Sequence, residues 1–303
     1  GDGQFCAACP PGYITGEEGL ASCTACPPGL FAEGTANVFC LVCEAGTYNP
    51  REGQGECLPC EVGTFAADAG FSECILCGAG EFQNQTGQTS CLPCAAGSFA
   101  AGEGNYACTL CAEGSFNSGS GQLTCQPCEA GFFAAGSGNT SCSPCAEGSF
   151  NPSTGQAACL PCAAGSFTAE GASLACTPCD VGTYAADAGN TACAMCEPGS
   201  FNPGTGQAAC IPCDAGSFAA LTGSLRCTPC AAGEYQDESG QVACLACPTG
   251  TYAPYGGQMT CTDCEVGWYS TEGATFCTEI CGDGVVVGFE ACDDGNETSD
   301  DGC

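Results

Sequence analysis

The chain has no lysine and no histidine, and only two arginines, Arg51 and Arg226, stand against 34 acidic residues. Such a sequence has almost nothing to neutralise phosphates or an anionic lipid surface, so nucleic acid and direct membrane insertion are not expected. The longest uncharged apolar stretch near the C-terminus, Val285-Val286-Val287, is far too short to span a bilayer. With no histidine, no lysine and no thiol expected to be free, the usual bases and nucleophiles of catalysis are missing, and we expect no enzyme. Large apolar residues are sparse as well. Together with a net charge of -32, that scarcity would ordinarily describe a disordered chain. No hydrophobic leader is present, so the sequence reads as processed or as a piece of a longer protein.

What the chain does have is 36 cysteines in 303 residues, which reverses the reading of disorder. Cysteine at this density marks a disulfide scaffold, in which covalent staples replace a large apolar core. Cystines in this number survive only in an oxidising compartment, so the chain reads as extracellular or cell-surface.

The cysteines are periodic. A Cys-x-x-Cys pair begins at Cys6 and recurs every 17 residues through Cys261, without insertion or deletion across 16 pairs. Glycine follows three residues after each pair, from Gly12 to Gly267, and suits a turn with φ > 0 or close approach to a cystine. Two residues further on is an aromatic, as in Phe65, Phe150 or Tyr235, with Ile14 the one exception. It is the only large apolar group each unit supplies regularly, so it is expected to pack against the cystines and the neighbouring unit. Ten residues after the pair comes a second glycine, replaced by Ala36, Ala172 and Ala274 in three units. The pattern predicts two short extended segments joined by a turn, with no helical period anywhere. The expected fold is small, disulfide-rich, irregular β: a linear rod of sixteen 17-residue repeats over residues 1–277 with little regular secondary structure.

One disulfide closing a loop of this size contributes about 3 kcal/mol. Ordering the backbone costs on the order of 1–2 kcal/mol per residue. A single 17-residue unit therefore does not fold alone, and must stack on its neighbours as linear repeats do. A weaker 34-residue alternation overlies the repeat. Loops with Asn or Gln after the aromatic, at Tyr48, Phe82, Phe116 and Phe150, alternate with Ala-rich loops, and the alternation slips by one unit at Tyr184.

Two regular disulfide schemes fit the spacing. A local scheme joins the second cysteine of one pair to the first of the next: Cys9–Cys23, Cys26–Cys40, Cys43–Cys57, Cys60–Cys74, and so on to Cys264–Cys277. A crossed scheme joins like to like, Cys40–Cys57 with Cys43–Cys60. The phase slip favours the local scheme, because self-contained loops tolerate it, although Cys6 is then left to seek another partner. Zinc-ribbon spacing is a third reading of such pairs. It is disfavoured by the proline inside many pairs and by the absence of histidine.

The run Cys91-Leu92-Pro93-Cys94-Ala95-Ala96-Gly97-Ser98-Phe99 resembles the ephrin-receptor-like cysteine-rich repeat and, more loosely, modules of the tumour-necrosis-factor receptor family. The resemblance covers residues 6–277 and implies an extracellular, elongated chain. Receptor modules of those families vary in loop length, whereas these loops are constant, as a fibre of constant rise requires.

Residues 278–303 form a separate acidic, cysteine-rich motif. Cys281-Gly282-Asp283-Gly284, Glu290-Ala291-Cys292-Asp293-Asp294-Gly295-Asn296 and Asp301-Gly302-Cys303 resemble a short repeat found in secreted proteins. That family usually continues to further cysteines, so truncation past Cys303 is expected. Asp283, Glu290, Asp293, Asp294 and Asp301 compose an oxygen-ligand set suited to Ca²⁺ as a cofactor, or else a solvated acidic loop. Sequons at Asn84, Asn139 and Asn296 are candidate glycosylation sites. Acids recur just after the Cys pair at Glu44, Glu61, Glu129, Asp180, Glu197, Asp214 and Glu265, expected to serve solubility or cation-bridged lateral contact. The functional expectation is a structural protein of an extracellular filament, hair, sheath or surface coat, with further copies of itself as partners. The alternative is a rigid stalk or ectodomain of an adhesion or receptor protein, with other extracellular proteins as its partners.

Overall fold

The computed structural model describes residues 8–16 and 22–280. Among them there is no helix, and every strand is two residues long. The strands pair antiparallel into 16 separate hairpins, one per repeat.

The repeat that begins at Cys94 shows how the local sequence makes the element. Ser98 N–H donates to Ala95 O at 3.1 Å, closing a β-turn whose third residue, Gly97, has φ of 83°. A left-handed conformation at that position is what a type II turn requires, and glycine adopts it without cost. Ser98–Phe99 then pairs with Thr109–Leu110, and Cys111 N–H donates back to Gly97 O at 2.8 Å. The Cys94–Cys108 disulfide closes the intervening loop. In half of the repeats the residue before the second cysteine is proline, as at Pro93 and Pro127. A two-residue edge strand tolerates a residue without an N–H.

Each hairpin would be marginal alone, and three backbone hydrogen bonds tie it to its neighbours. Gly97 N–H donates to Asn117 O of the next repeat at 2.8 Å, and Ala100 N–H to Gln122 O at 3.1 Å. Gly104 N–H reaches back to Cys77 O of the preceding repeat at 2.8 Å. The same donors and acceptors recur along the chain, for example Gly46 to Ala66, Ala66 to Gln88 and Gly70 to Cys43. The repeats fall into two compact units, Gly1–Cys145 with Asn151–Cys159, and Ala146–Phe150 with Leu160–Cys303. Within each unit the repeats stack in chain order.

The first glycine does more than turn the chain. A methyl group on Gly97 would overlap the carbonyl oxygen of Gly138, the second glycine of the repeat two places further on. The same clash awaits Gly46 at Gly87, Gly114 at Gly155, Gly165 at Gly206 and Gly199 at Gly240. Close approach to a cystine is therefore not the reason for this glycine. It meets a backbone two repeats away.

The second glycine position is left-handed throughout, with φ of 71° at Gly104 and 69° at Gly121. Ala36 and Ala172 adopt it too, with φ of 62° and 57°, and are the only described non-glycine residues with positive φ. Ala274 does not. Cys264 and Cys277 are separated by 13 residues instead of 14. Gly273, with φ of 72°, takes the position and donates to Cys247 O at 2.8 Å. The last repeat has lost one residue ahead of its glycine, which a count from the Cys pair misplaces.

The core is built from small groups. The aromatics after the first glycine are half-buried, and Tyr269 in the last repeat is exposed. Full burial belongs to the second cysteine of every pair but the last, such as Cys26, Cys94 and Cys162 at 0 % exposure, and to the residue after the aromatic. That residue is alanine in Ala32, Ala66, Ala100, Ala134, Ala185, Ala219 and Ala253, and polar in the others. This buried position is the source of the 34-residue alternation.

Two substitutions separate the turn from the stack. Gly97→Ala meets both a left-handed φ and the Gly138 carbonyl, and is expected to cost more than about 2 kcal/mol. Ala172→Gly relieves a left-handed alanine and is expected to stabilise its repeat by about 1 kcal/mol. Local resistance to proteolysis under non-reducing conditions, with calorimetry, measures both.

Candidate interaction surface

Every disulfide in the described residues is local. Cys9–Cys23, Cys26–Cys40, Cys43–Cys57 and Cys60–Cys74 begin a series that runs to Cys264–Cys277, and the crossed scheme does not occur. With all these sulfurs in cystines, no thiolate is left among them to bind zinc. Among the described residues, no group of three or more His, Cys, Asp or Glu is placed to hold a metal ion. Cys6 and the acids Asp283, Glu290, Asp293, Asp294 and Asp301 lie outside the described residues.

The buried polar residues after the aromatic bind their repeat to the one before. Asn49 Nδ2 donates to Leu30 O at 2.8 Å, Asn151 to Phe132 O at 2.9 Å and Asn202 to Thr183 O at 2.8 Å. Ser270 Oγ makes the equivalent bond to Thr251 O at 2.7 Å. Gln83 and Gln236 instead turn inward, donating to Ser90 O and Ala243 O of their own loops. The glutamine carbonyls accept from Gln85 N–H and Glu238 N–H. The amide oxygens of Asn49, Asn151 and Asn202 accept no hydrogen bond from the protein, and each of these asparagines is followed by proline. At the phase slip, Thr168 satisfies its hydroxyl with Ser173 Oγ at 2.6 Å and Glu170 O at 3.2 Å. Both partners belong to its own loop, so the slip needs no matching neighbour.

The seven acids that follow the Cys pairs, Glu44, Glu61, Glu129, Asp180, Glu197, Asp214 and Glu265, are all exposed. Asn84 is exposed and accessible. Asn139 is half-buried, and its amide donates to Gly136 O at 2.9 Å. Asn296 lies outside the described residues.

Composition and periodicity left one surface feature unread. The outer strand of many hairpins carries exposed apolar residues at one repeat position: Leu41, Leu58, Ile75 and Leu92 in four successive repeats, each between 42 % and 49 % exposed. The alternation of strand residues was the available signal, but a two-residue strand is too short to reveal which side faces solvent. Beside this edge run shallow grooves at the junctions between repeats. One is lined by Phe31, Leu41, Val42, Glu44 and Thr47, and another, at equivalent positions, by Phe116, Gln126, Pro127, Glu129 and Phe132. Each groove sets aromatic side chains beside one carboxylate, over Leu41 and Val42 in the first and Gln126 and Pro127 in the second.

A series of cystine-closed hairpins defines a disulfide-rich repeat protein of extracellular or cell-surface type. Among the described residues, no helix is long and apolar enough to cross a membrane. The family model described as tyrosine-protein kinase ephrin type A/B receptor-like matches residues 31–70, 63–104, 131–175, 169–206 and 216–257. These matches together cover more than half of the chain, which belongs to this ephrin-receptor-like family. Residues 261–303 match a second model, a domain of unknown function, DUF4215. No curated protein matches the chain.

The cystine frame has a direct test. Full reduction at neutral pH is expected to abolish the folded array, read as loss of protease resistance and of its circular dichroism signal. Adding Zn²⁺ to the reduced chain is not expected to restore either, and re-oxidation is.

Proposed function

We propose that this chain is a non-catalytic structural element of an extracellular filament, sheath or surface coat, associating laterally with further copies of itself. One observation carries the proposal. Successive repeats are joined by the same backbone hydrogen bonds, and the glycine contact sets their spacing two repeats ahead. Side chains at equivalent positions therefore recur at a constant interval. A partner with the same interval can meet them in register, and weak contacts then add along the array. The exposed apolar row at Leu41, Leu58, Ile75 and Leu92 supplies the kind of contact such a partner needs.

The charge works against association. A chain carrying -32 repels its copies, so assembly needs salt or divalent cations to screen the acids. A second reading is a rigid stalk or ectodomain that holds a binding head away from a surface, and the ephrin-receptor-like repeats favour it. The two readings part on self-association.

The intact protein is expected to form large assemblies above micromolar concentration in high salt or with Ca²⁺, by light scattering and negative-stain microscopy. Leu58→Glu with Leu92→Glu is expected to suppress them while leaving the disulfides intact. A monodisperse monomer under every condition would support the stalk.

A further inference from the structure

The junction groove at the last repeat differs from the others. Among the described residues it is lined by Tyr252, Trp268 and Phe276 as aromatic walls, with Asp263 and Glu265 beside them, around a volume of about 310 Å³. The equivalent grooves near Phe31 and Phe116 hold one carboxylate each, Glu44 and Glu129. Here the second carboxylate arises at Asp263, where those repeats carry Val42 and Pro127. Trp268 is the single tryptophan of the chain and replaces the Thr, Ser or Glu that starts most of the corresponding strands. Phe276 stands 67 % exposed.

Three rings around two carboxylates form a site for an organic cation. The ring faces attract an ammonium or guanidinium group through their quadrupoles, and tryptophan does so best. The carboxylates add charge-assisted hydrogen bonds, which a planar guanidinium accommodates in pairs. The chain itself is poorly equipped to fill such a site, having no lysine and only Arg51 and Arg226, both in other repeats. Charge complementarity to a chain of -32 calls for a basic occupant.

We infer that the groove of Tyr252, Trp268, Phe276, Asp263 and Glu265 docks an arginine side chain from a basic, extended segment of another protein. The aliphatic stem of that arginine lies on the rings while its head meets the carboxylates. This docking is independent of whether the array associates with itself.

The test uses the full oxidised chain and a blocked hexa-arginine peptide, with hexaserine as the neutral control. Because Trp268 is the only tryptophan, its emission reports this groove alone. A saturable change with hexa-arginine and none with hexaserine is expected. Asp263→Asn with Glu265→Gln is expected to weaken binding by about tenfold by calorimetry, and Trp268→Leu by about fivefold. A charge-matched pair elsewhere on the surface, Glu103→Gln with Asp187→Asn, is expected to change it less than about twofold. Non-reducing peptide maps check that each variant keeps its disulfides. Equal weakening by both acid pairs would overturn the proposal, reducing it to diffuse attraction. So would the absence of any saturable Trp268 response. Self-association of the chain alone that is lost in Asp263→Asn with Glu265→Gln would also overturn it, by making a second copy the occupant.

Discussion

In every repeat but the last a single disulfide closes a loop across 14 residues and places the second cysteine at the centre of the stack. The hairpin beside it has two residue pairs, far too few to persist in water. By removing most of the disorder of the open loop, the cystine makes that hairpin available for stacking. Stacking then satisfies the backbone groups that the short strands leave over. Gly97 and Ala100 donate forward, and Gly104 donates back. Remove the cystine and the backbone bonds lose their template. Remove the neighbours and the cystine closes a loop with nothing to bury.

This division of labour explains why so few side chains are buried. The interior has room for a sulfur and one small or polar residue, which is why Ala100 and Asn117 alternate where a larger domain would use leucine. Asparagine there spans 19 residues to bond the preceding repeat, so it works as an inter-repeat fastener as well as a filler. Its amide oxygen has no protein donor in the three Asn-Pro repeats. The larger apolar side chains are displaced to the surface. Leucines and isoleucines on the outer strand and half-buried aromatics form grooves edged by carboxylates. The described repeats therefore present a great deal of periodic surface.

The sequence by itself determined the repeat, its 17-residue length, the reliance on cystines and the absence of helices among the described residues, because cysteine spacing and glycine placement act locally. Local disulfide pairing was also readable, from the one-unit slip that a crossed module would not absorb; Thr168 shows the reason, since its hydroxyl is satisfied within its own loop. What only the tertiary structure decided are the facts that depend on residues far apart in the chain. The carbonyl of Gly138 lies against Gly97, so the first glycine answers to a repeat two places away. The shortened last repeat puts Gly273, not Ala274, at the turn, because a hydrogen bond to Cys247 selects the residue. The candidate groove was illegible for the same reason. Tyr252 and Asp263 come from one hairpin, Trp268 from the next and Phe276 from its loop. Only the stacking of successive repeats brings three rings and two carboxylates to one place.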